Sequence, residues 1–202
     1  MKLYYSPGAC SQVPHIVLHE LGLPHQLVRV DLAAKKTESG ADYLAINPKG
    51  CVPALGLDDG FVLTEGPAID QYLADLKPES GLAPVAGSRE RYVLQSWLNF
   101  ITSDLHQGFS PLFKPDVPDA YKSMARAKLE SKFAYVDGQL AHRSYLLGDQ
   151  YTVADTYLFV VSGWGKFTGV DTSRFTNVAA LRERVAARPA VTAMLKAEGL
   201  LR

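Results

Sequence analysis

The chain has 202 residues, 47% hydrophobic and 10% aromatic, enough for a full core but too few for more than two domains. Its 21 basic and 21 acidic residues cancel, which argues against a general nucleic-acid binder, and no apolar run reaches the length of a membrane span. Two cysteines, Cys10 and Cys51, are too few for a disulfide scaffold. Together with an N-terminus that lacks an apolar signal core, they point to a reducing, cytoplasmic setting.

Lys2–Ser6 reads as a short strand stopped by Pro7-Gly8. Cys10–Leu21 has helical apolar spacing at Val13, Ile16, Val17 and Leu21, with Gly22 closing it. Gln26–Asp31 alternates as a second strand. Ala54–Leu57 and Phe61–Leu63 flank Asp58-Asp59-Gly60, a hairpin signal in which the acids form the turn rather than a carboxylate dyad. Glu65–Leu76 is helical, with Ile69, Tyr72, Leu73 and Leu76 on one side. The order β-α-β, then β-β-α, predicts a small mixed sheet with helices packed on it.

Residues 1–80 carry 6 Lys/Arg against 10 Asp/Glu, and residues 81–202 carry 15 against 11. Of 12 prolines, eight lie at or before Pro84, so long helices belong mainly after residue 87. These shifts divide the chain into a first domain over 1–80, a turn-rich linker over 81–87 and an all-helical domain over 88–202. Ser88–Gly108, Pro118–Leu140, Thr152–Lys166 and Asn177–Arg188 have helix length and spacing. Thr152-Val-Ala-Asp155 resembles a capping box that fixes one helix start.

Cys10 is the residue most suggestive of chemistry. It lies where a strand ends and a helix begins, so helix amides and the helix dipole favour a thiolate there. On that argument Cys10 ionises more readily than Cys51. Position 13 is Val, so this is not a dithiol motif. Ser11 beside it reads as a cap or as a hydroxyl donor to the same spot. Val52-Pro53 introduces the hairpin; a cis bond would bend the chain and expose the Val52 amide and carbonyl. At Glu65-Gly66 the bare glycine opens helix amides to a carboxylate, and Glu65 can pair with an amine.

Ser6-Pro-Gly-Ala-Cys-Ser11, Asn47-Pro-Lys-Gly-Cys-Val-Pro53, Leu63-Thr-Glu-Gly-Pro-Ala-Ile69 and Thr152-Val-Ala-Asp155 stand in the order expected of a glutathione transferase. With Asn99 and Ser103-Asp-Leu-His106 further on, the chain resembles the bacterial beta class over essentially its whole length. The resemblance implies a thioredoxin-like α/β N-terminal domain, an all-helical C-terminal domain and a homodimer. It implies a cis-proline at Pro53 and pairing of the Val52 backbone with the cysteinyl part of glutathione. It places Glu65 and Gly66 at the γ-glutamyl end, Lys35 at the glycine end and Cys10 beside the glutathione sulfur. Asn99, Ser103, Asp104 and His106 match residues of the second domain that line the site. Glutathione would be a co-substrate, with no prosthetic group and no bound metal. Its partner would be a small hydrophobic electrophile or a disulfide. The family often has Gln at position 51 and Ser at position 66; here Cys51 and Gly66 stand instead.

At 100° per residue, Asn99, Ser103 and His106 share an arc of about 60°, a polar strip suited to a ligand cleft. His15 and His19 are one helical turn apart, as two metal ligands would be, but no third ligand with suitable spacing is evident, so they read as packed or surface histidines. Phe109, Phe113, Trp164 and Phe167 read as core rather than as walls of an electrophile pocket. Lys35-Lys36 is by itself a solvated pair. The leading function is an enzyme that presents the glutathione thiolate to electrophiles, with thiol–disulfide exchange at Cys10. The alternative is a non-catalytic binding protein on the same fold, which the retained Cys10, Val52-Pro53, Glu65 and His106 disfavour.

Overall fold

The computed structural model describes residues 1–201. They form two compact units: Met1–Ser80 together with the tail from Ala187 onward, and Gly81–Ala186.

The first unit contains β1 (Lys2–Tyr5), α1 (Gln12–Glu20), β2 (Gln26–Asp31), β3 (Lys36–Thr37), β4 (Ala54–Gly56), β5 (Val62–Thr64) and α2 (Gly66–Asp75). The strands lie in the order β3-β2-β1-β4-β5. β1 and β2 run parallel, with Leu3 opposite Leu27, as a β-α-β unit requires. β4 joins β1 antiparallel, with Leu3 opposite Leu55, and pairs with β5 through the predicted hairpin. At the hairpin tip, Asp58 accepts from the N-terminal amine at 2.9 Å, and Asp59 accepts from the Phe61 N–H at 2.9 Å. Ile16, Val17 and Leu18 of α1 and Ile69 and Leu73 of α2 are buried with Leu3 and Leu55. This is the expected α/β half. The edge strand β3 is too short to leave a period-2 pattern in the sequence.

The last helix, α9 (Pro189–Ala197), packs on α1. The sequence reading ends its last helix at Arg188 and places the tail with the helical domain. The structure instead buries Val191 and Met194 within the first unit. Polar contacts fix the arrangement: Arg188 grips Glu20 through two nitrogens, and the Gln12 side chain reaches Glu198 Oε2 at 3.2 Å. An apolar helix face shows in sequence that it needs a partner, not which partner it finds.

The second unit is helical as expected. It holds α3 (Arg89–Phe100), α4 (Gln107–Phe109), α5 (Asp119–Gln139), α6 (Val153–Gly163), α7 (Gly165–Thr168) and α8 (Thr176–Ala186). Its core gathers Leu94, Leu98, Ile101, Leu105, Phe109, Leu129, Phe133, Leu158, Val161, Val178 and Leu181. Ser88 caps α3 by accepting the Arg91 N–H at 3.1 Å. The Thr152–Asp155 box also forms. Asp155 Oδ2 accepts the Thr152 N–H at 2.8 Å and the Thr152 hydroxyl at 2.9 Å, while its other oxygen accepts the Leu146 N–H at 2.8 Å. Burial raises the Asp155 carboxyl to about 6 against those donors. The predicted Thr152–Lys166 helix breaks at Trp164. A side chain at Gly165 would strike the Val170 carbonyl at 2.4 Å, so glycine is what allows the chain to turn back there.

The helix predicted over Ser88–Gly108 does not run through. From Ile101 to His106 the chain is a π-helix, whose wider turn invalidates the 100° count past residue 100. Such widenings recur at functional sites, and this one carries Ser103, Asp104 and His106.

Candidate active site

In the first unit, the loop before β4 is built by residues outside the quoted motifs as well as within them. The Cys51 carbonyl accepts from the Tyr43 hydroxyl at 2.8 Å and from the Asn47 side-chain amide at 2.7 Å. Tyr43 is wholly buried, and burial pushes its hydroxyl up to about 12. It is a fixed donor that stays protonated, and sequence reasoning missed it because only its burial distinguishes it from other tyrosines. The loop delivers Val52-Pro53 as a cis peptide. The Val52 carbonyl accepts the Cys10 thiol at 3.2 Å, and its N–H has no acceptor among the described residues. An open N–H in the loop entering β4 suits an extended peptide ligand.

Cys10 sits just before α1, next to Ser11. The amides of Cys10 and Ser11 favour negative charge at the sulfur, as the helix-start argument requires. Burial outweighs them and pushes the thiol up to about 12. The residue as a whole is only half-buried, yet its sulfur is densely packed. The expectation of a readily formed thiolate is therefore corrected: at neutral pH Cys10 is a thiol that donates to Val52. Ser11 is corrected too. Its wholly buried hydroxyl donates to the Ser6 carbonyl and accepts the Ser6 N–H, each at 3.2 Å. It closes the Ser6–Ser11 turn and has no proton left to offer a ligand.

Glu65 immediately precedes α2 with φ +72°, a left-handed conformation that costs a non-glycine residue on the order of 1–3 kcal/mol. Its carboxylate pairs with Lys49 Nζ at 2.6 Å, and the two side chains are 63% and 55% exposed. An exposed pair contributes about 0–1 kcal/mol, so another ammonium can replace Lys49 at little cost. Gly66 opens α2 next to Pro53; a Cβ there would meet only Pro53 Cγ, at 3.8 Å. Lys35, also at positive φ, donates from Nζ to the Gly50 carbonyl at 2.8 Å, one residue before Cys51. The exposed Cys51 thiol donates to the Lys49 carbonyl at 3.4 Å. Within this unit the structure thus brings Cys10, Val52 and Pro53 together, and Gly66 and Lys35 flank the same loop.

One buried group here went unforeseen. Asp70, on α2, is 1% exposed, and neither carboxylate oxygen has a partner among the described residues. Burial holds its carboxyl well above the usual carboxylate range.

In the second unit, the predicted polar strip splits. Ser103 donates to the Asn99 carbonyl and to Asp104 Oδ2, each at 3.0 Å, and Asp104 pairs with Lys132 of α5 at 2.7 Å. Lys132 foremost, with Ser103 assisting, holds the Asp104 carboxyl below its usual value. His106 instead turns to α6: its Nδ1 lies 2.6 Å from the Tyr157 hydroxyl, and its ring meets Trp164 edge-on at 4.9 Å. Burial lowers its pKa to about 4, so it is neutral at physiological pH. Tyr157 was not foreseen; it is a core position of an apolar helix until the π turn swings His106 onto it. Phe109 is core as expected, whereas Phe113 and Phe167 are exposed and Trp164 packs on His106, Phe109 and Phe113. Among the described residues no helix is long and apolar enough to cross a membrane.

Residues 8–76 match the family model for the glutathione S-transferase N-terminal domain, and residues 101–189 match the C-terminal domain model. The chain is 49% identical over 200 residues to glutathione S-transferase GstA of Escherichia coli O157:H7, covering 99% of this chain and 100% of that one. A sphingomonad glutathione S-transferase solved with glutathione superposes with a TM-score of 0.96 at 49% identity, covering 100% of both chains. A bacterial beta class enzyme of Sphingomonas chungbukensis does so with a TM-score of 0.97 at 48% identity, again over 100% of both.

Proposed function

This chain belongs to the glutathione S-transferase family, in its bacterial beta class, and from that premise we propose how its own residues bind glutathione and use it. It is a glutathione transferase with glutathione as its co-substrate; in our reading the reaction joins the glutathione sulfur to an electrophile. The observation that carries the residue-level reading is the cluster of open polar groups around cis Pro53: the Val52 N–H, the Gly66 N–H that opens α2 and the weakly held Glu65 carboxylate. Glu65 takes the α-ammonium of the γ-glutamyl end in place of Lys49. The amide of Gly66, at the positive end of α2, takes the neighbouring carboxylate. Val52 pairs its backbone with the cysteinyl residue, and Lys35 leaves the Gly50 carbonyl for the glycine carboxylate.

That docking brings the glutathione sulfur to Cys10. A sulfur there meets the Cys10 thiol, the amides of Cys10 and Ser11, and the carbonyl of Val52. A protonated Cys10 that turns its S–H from the Val52 carbonyl to a glutathione thiolate lowers the cost of ionising glutathione near neutral pH. Within the helical unit, neutral His106 against Tyr157 is kept apart from the Ser103–Asp104–Lys132 group.

Thiol–disulfide exchange is the second activity. With a mixed disulfide of glutathione and another thiol, Cys10–SH takes the glutathionyl group and releases the other thiol; a glutathione thiolate and a proton then return Cys10–SH and release glutathione disulfide. The high pKa of Cys10 lowers its thiolate fraction and slows the first of these steps relative to an ordinary thiol. The second substrate is a small hydrophobic electrophile or disulfide, and the working form is a homodimer in the cytoplasm, which sedimentation at micromolar concentration tests directly. Calorimetry of glutathione binding to Glu65→Gln tests the site: losing one charge-assisted contact should weaken binding about 10–100-fold. Unchanged affinity with an intact fold would mean that Glu65 is only the partner of Lys49.

A further inference from the structure

Three histidines converge in the first unit, and their surroundings are arranged for something other than packing. His15 and His19 stand one turn apart on α1, and His25 lies just before β2. One ring nitrogen from each lies within 4.8 Å of the other two. The rings of His15 and His19 stack at 5.0 Å, and His25 meets them edge-on at 5.8 and 5.3 Å. The third member escaped sequence reasoning because it is carried on a different element, across the turn at Gly22–Pro24.

Hydrogen bonds fix which nitrogens are available. The His25 Nδ1 lies 2.8 Å from the Leu23 carbonyl, which can only accept, so that nitrogen carries a proton and Nε2 keeps its lone pair. The His15 Nδ1 lies 3.0 Å from the Glu198 carboxylate, which orients it the same way. His15 is wholly buried, and its Nε2, like the Nε2 of His19, is buried without a hydrogen-bond partner. Buried imidazole nitrogens without partners each cost stability unless something else occupies them. A ring whose far nitrogen donates to a carboxylate or carbonyl is the usual form of a metal-bound histidine.

We propose that His15, His19 and His25 form a binding site for a divalent transition-metal ion of the zinc class, with Glu198 and the Leu23 carbonyl orienting two of the three imidazoles. Three imidazoles suit zinc, nickel or copper rather than magnesium or calcium. A tetrahedral zinc with Zn–N bonds of about 2.0–2.1 Å needs its nitrogens roughly 3.4 Å apart. Small side-chain rotations of the partly exposed His19 and His25 close that difference. The fourth position falls to water. The ion fastens α1 to the segment entering β2, and so braces the helix that begins beside Cys10.

The test uses the untagged full-length chain, stripped with chelator and titrated with Zn(II) and with Co(II). Binding of one Zn(II) per chain with a rise in Tm is expected, and Co(II) should give visible ligand-field bands without thiolate charge transfer. His19→Gln and His25→Gln, both at partly exposed positions, should each weaken binding about tenfold or more and abolish the bands. Glu198→Gln should weaken it about 10–100-fold, while Cys10→Ser and Cys51→Ser leave the affinity unchanged. Circular dichroism of the metal-free variants checks that the fold is intact. Absence of binding up to millimolar Zn(II), equal affinity in the histidine variants, or binding lost with either cysteine would overturn the proposal and leave a structural imidazole cluster.

Discussion

The ionisation of Cys10 is the sharpest consequence of the structure, because it reverses what the position of the residue suggests. A single-thiol chain, Cys51→Ser, isolates it. A thiol raised to about 12 carries roughly 3,000-fold less thiolate at neutral pH than a free thiol of pKa about 8.5. A more basic thiolate is intrinsically more nucleophilic. With a Brønsted slope of about 0.4–0.5, that returns roughly 30–60-fold. The native thiol should therefore be alkylated about 50–100-fold more slowly than a free thiol. Its rate should rise about tenfold per pH unit up to at least pH 10, without a plateau. Unfolding in denaturant should restore the ordinary rate and an ordinary midpoint. The measurement is the rate of iodoacetamide alkylation against pH, read by intact mass. Slow reaction alone could come from steric shielding, so the position of the plateau decides. A plateau below pH 9 would refute the argument that burial dominates the helix amides.

Gly66→Ser should fold normally, since its Cβ meets only Pro53 Cγ at 3.8 Å, and the added hydroxyl should lower the KM for glutathione about 2–10-fold; an unchanged KM would move the ligand carboxylate away from the start of α2. Asp70→Leu should stabilise the chain at pH 7 by about 1–3 kcal/mol, a rise of about 2–4 °C in Tm per kcal/mol. The folded carboxyl is held above the value of 3.8 that it has when unfolded. The cost of Asp70 therefore grows as pH rises past 3.8, and the Tm gain of Asp70→Leu should shrink by pH 4.5. His106 has the opposite sign. Its folded pKa of about 4 lies below 6.5, so its contribution is present above pH 6.5 and lost as pH falls towards 4. Thermal melts of His106→Gln should show a flatter loss over that window, and a steeper one would contradict the buried neutral ring.

What could be read from the chain was local. β2 and the hairpin at Asp58–Gly60 follow from alternation and turn residues a few positions apart. The helix starts at Ser88 and Thr152 follow from caps that need only three or four residues. Misreadings came where a distant element decides. Nothing near Ala190, Val191 and Met194 says that they pack on α1. The π turn over Ile101–His106 leaves no mark in the apolar spacing, since Ile101, Leu105 and Phe109 would share a face of an unbroken α-helix as well. The chemistry divides in the same way. The residue types at Cys10, Val52-Pro53 and Glu65 were legible as a motif, but the charge state of Cys10 depends on burial and on Asp70 of α2 and Cys51 of the loop before β4, which meet it only in the fold.

Glu198 shows how the two candidate sites of the first unit depend on one such distant group. It follows the final helix, yet its Oε2 accepts the Gly8 N–H at 3.1 Å as well as the Gln12 side chain, while its Oε1 faces His15 at 3.0 Å. Gly8 lies in the turn that sets Cys10 at the start of α1, and its φ of +76° makes that turn possible. A single carboxylate therefore closes the Cys10 turn on one side and orients the buried imidazole on the other. α1 is the rigid link between them. An ion held by His15, His19 and His25 would draw α1 towards β2, and Glu198 is the group through which that pull reaches the Gly8 amide. The metal site and the thiol site are thus joined by a covalent helix and a shared hydrogen-bonded carboxylate.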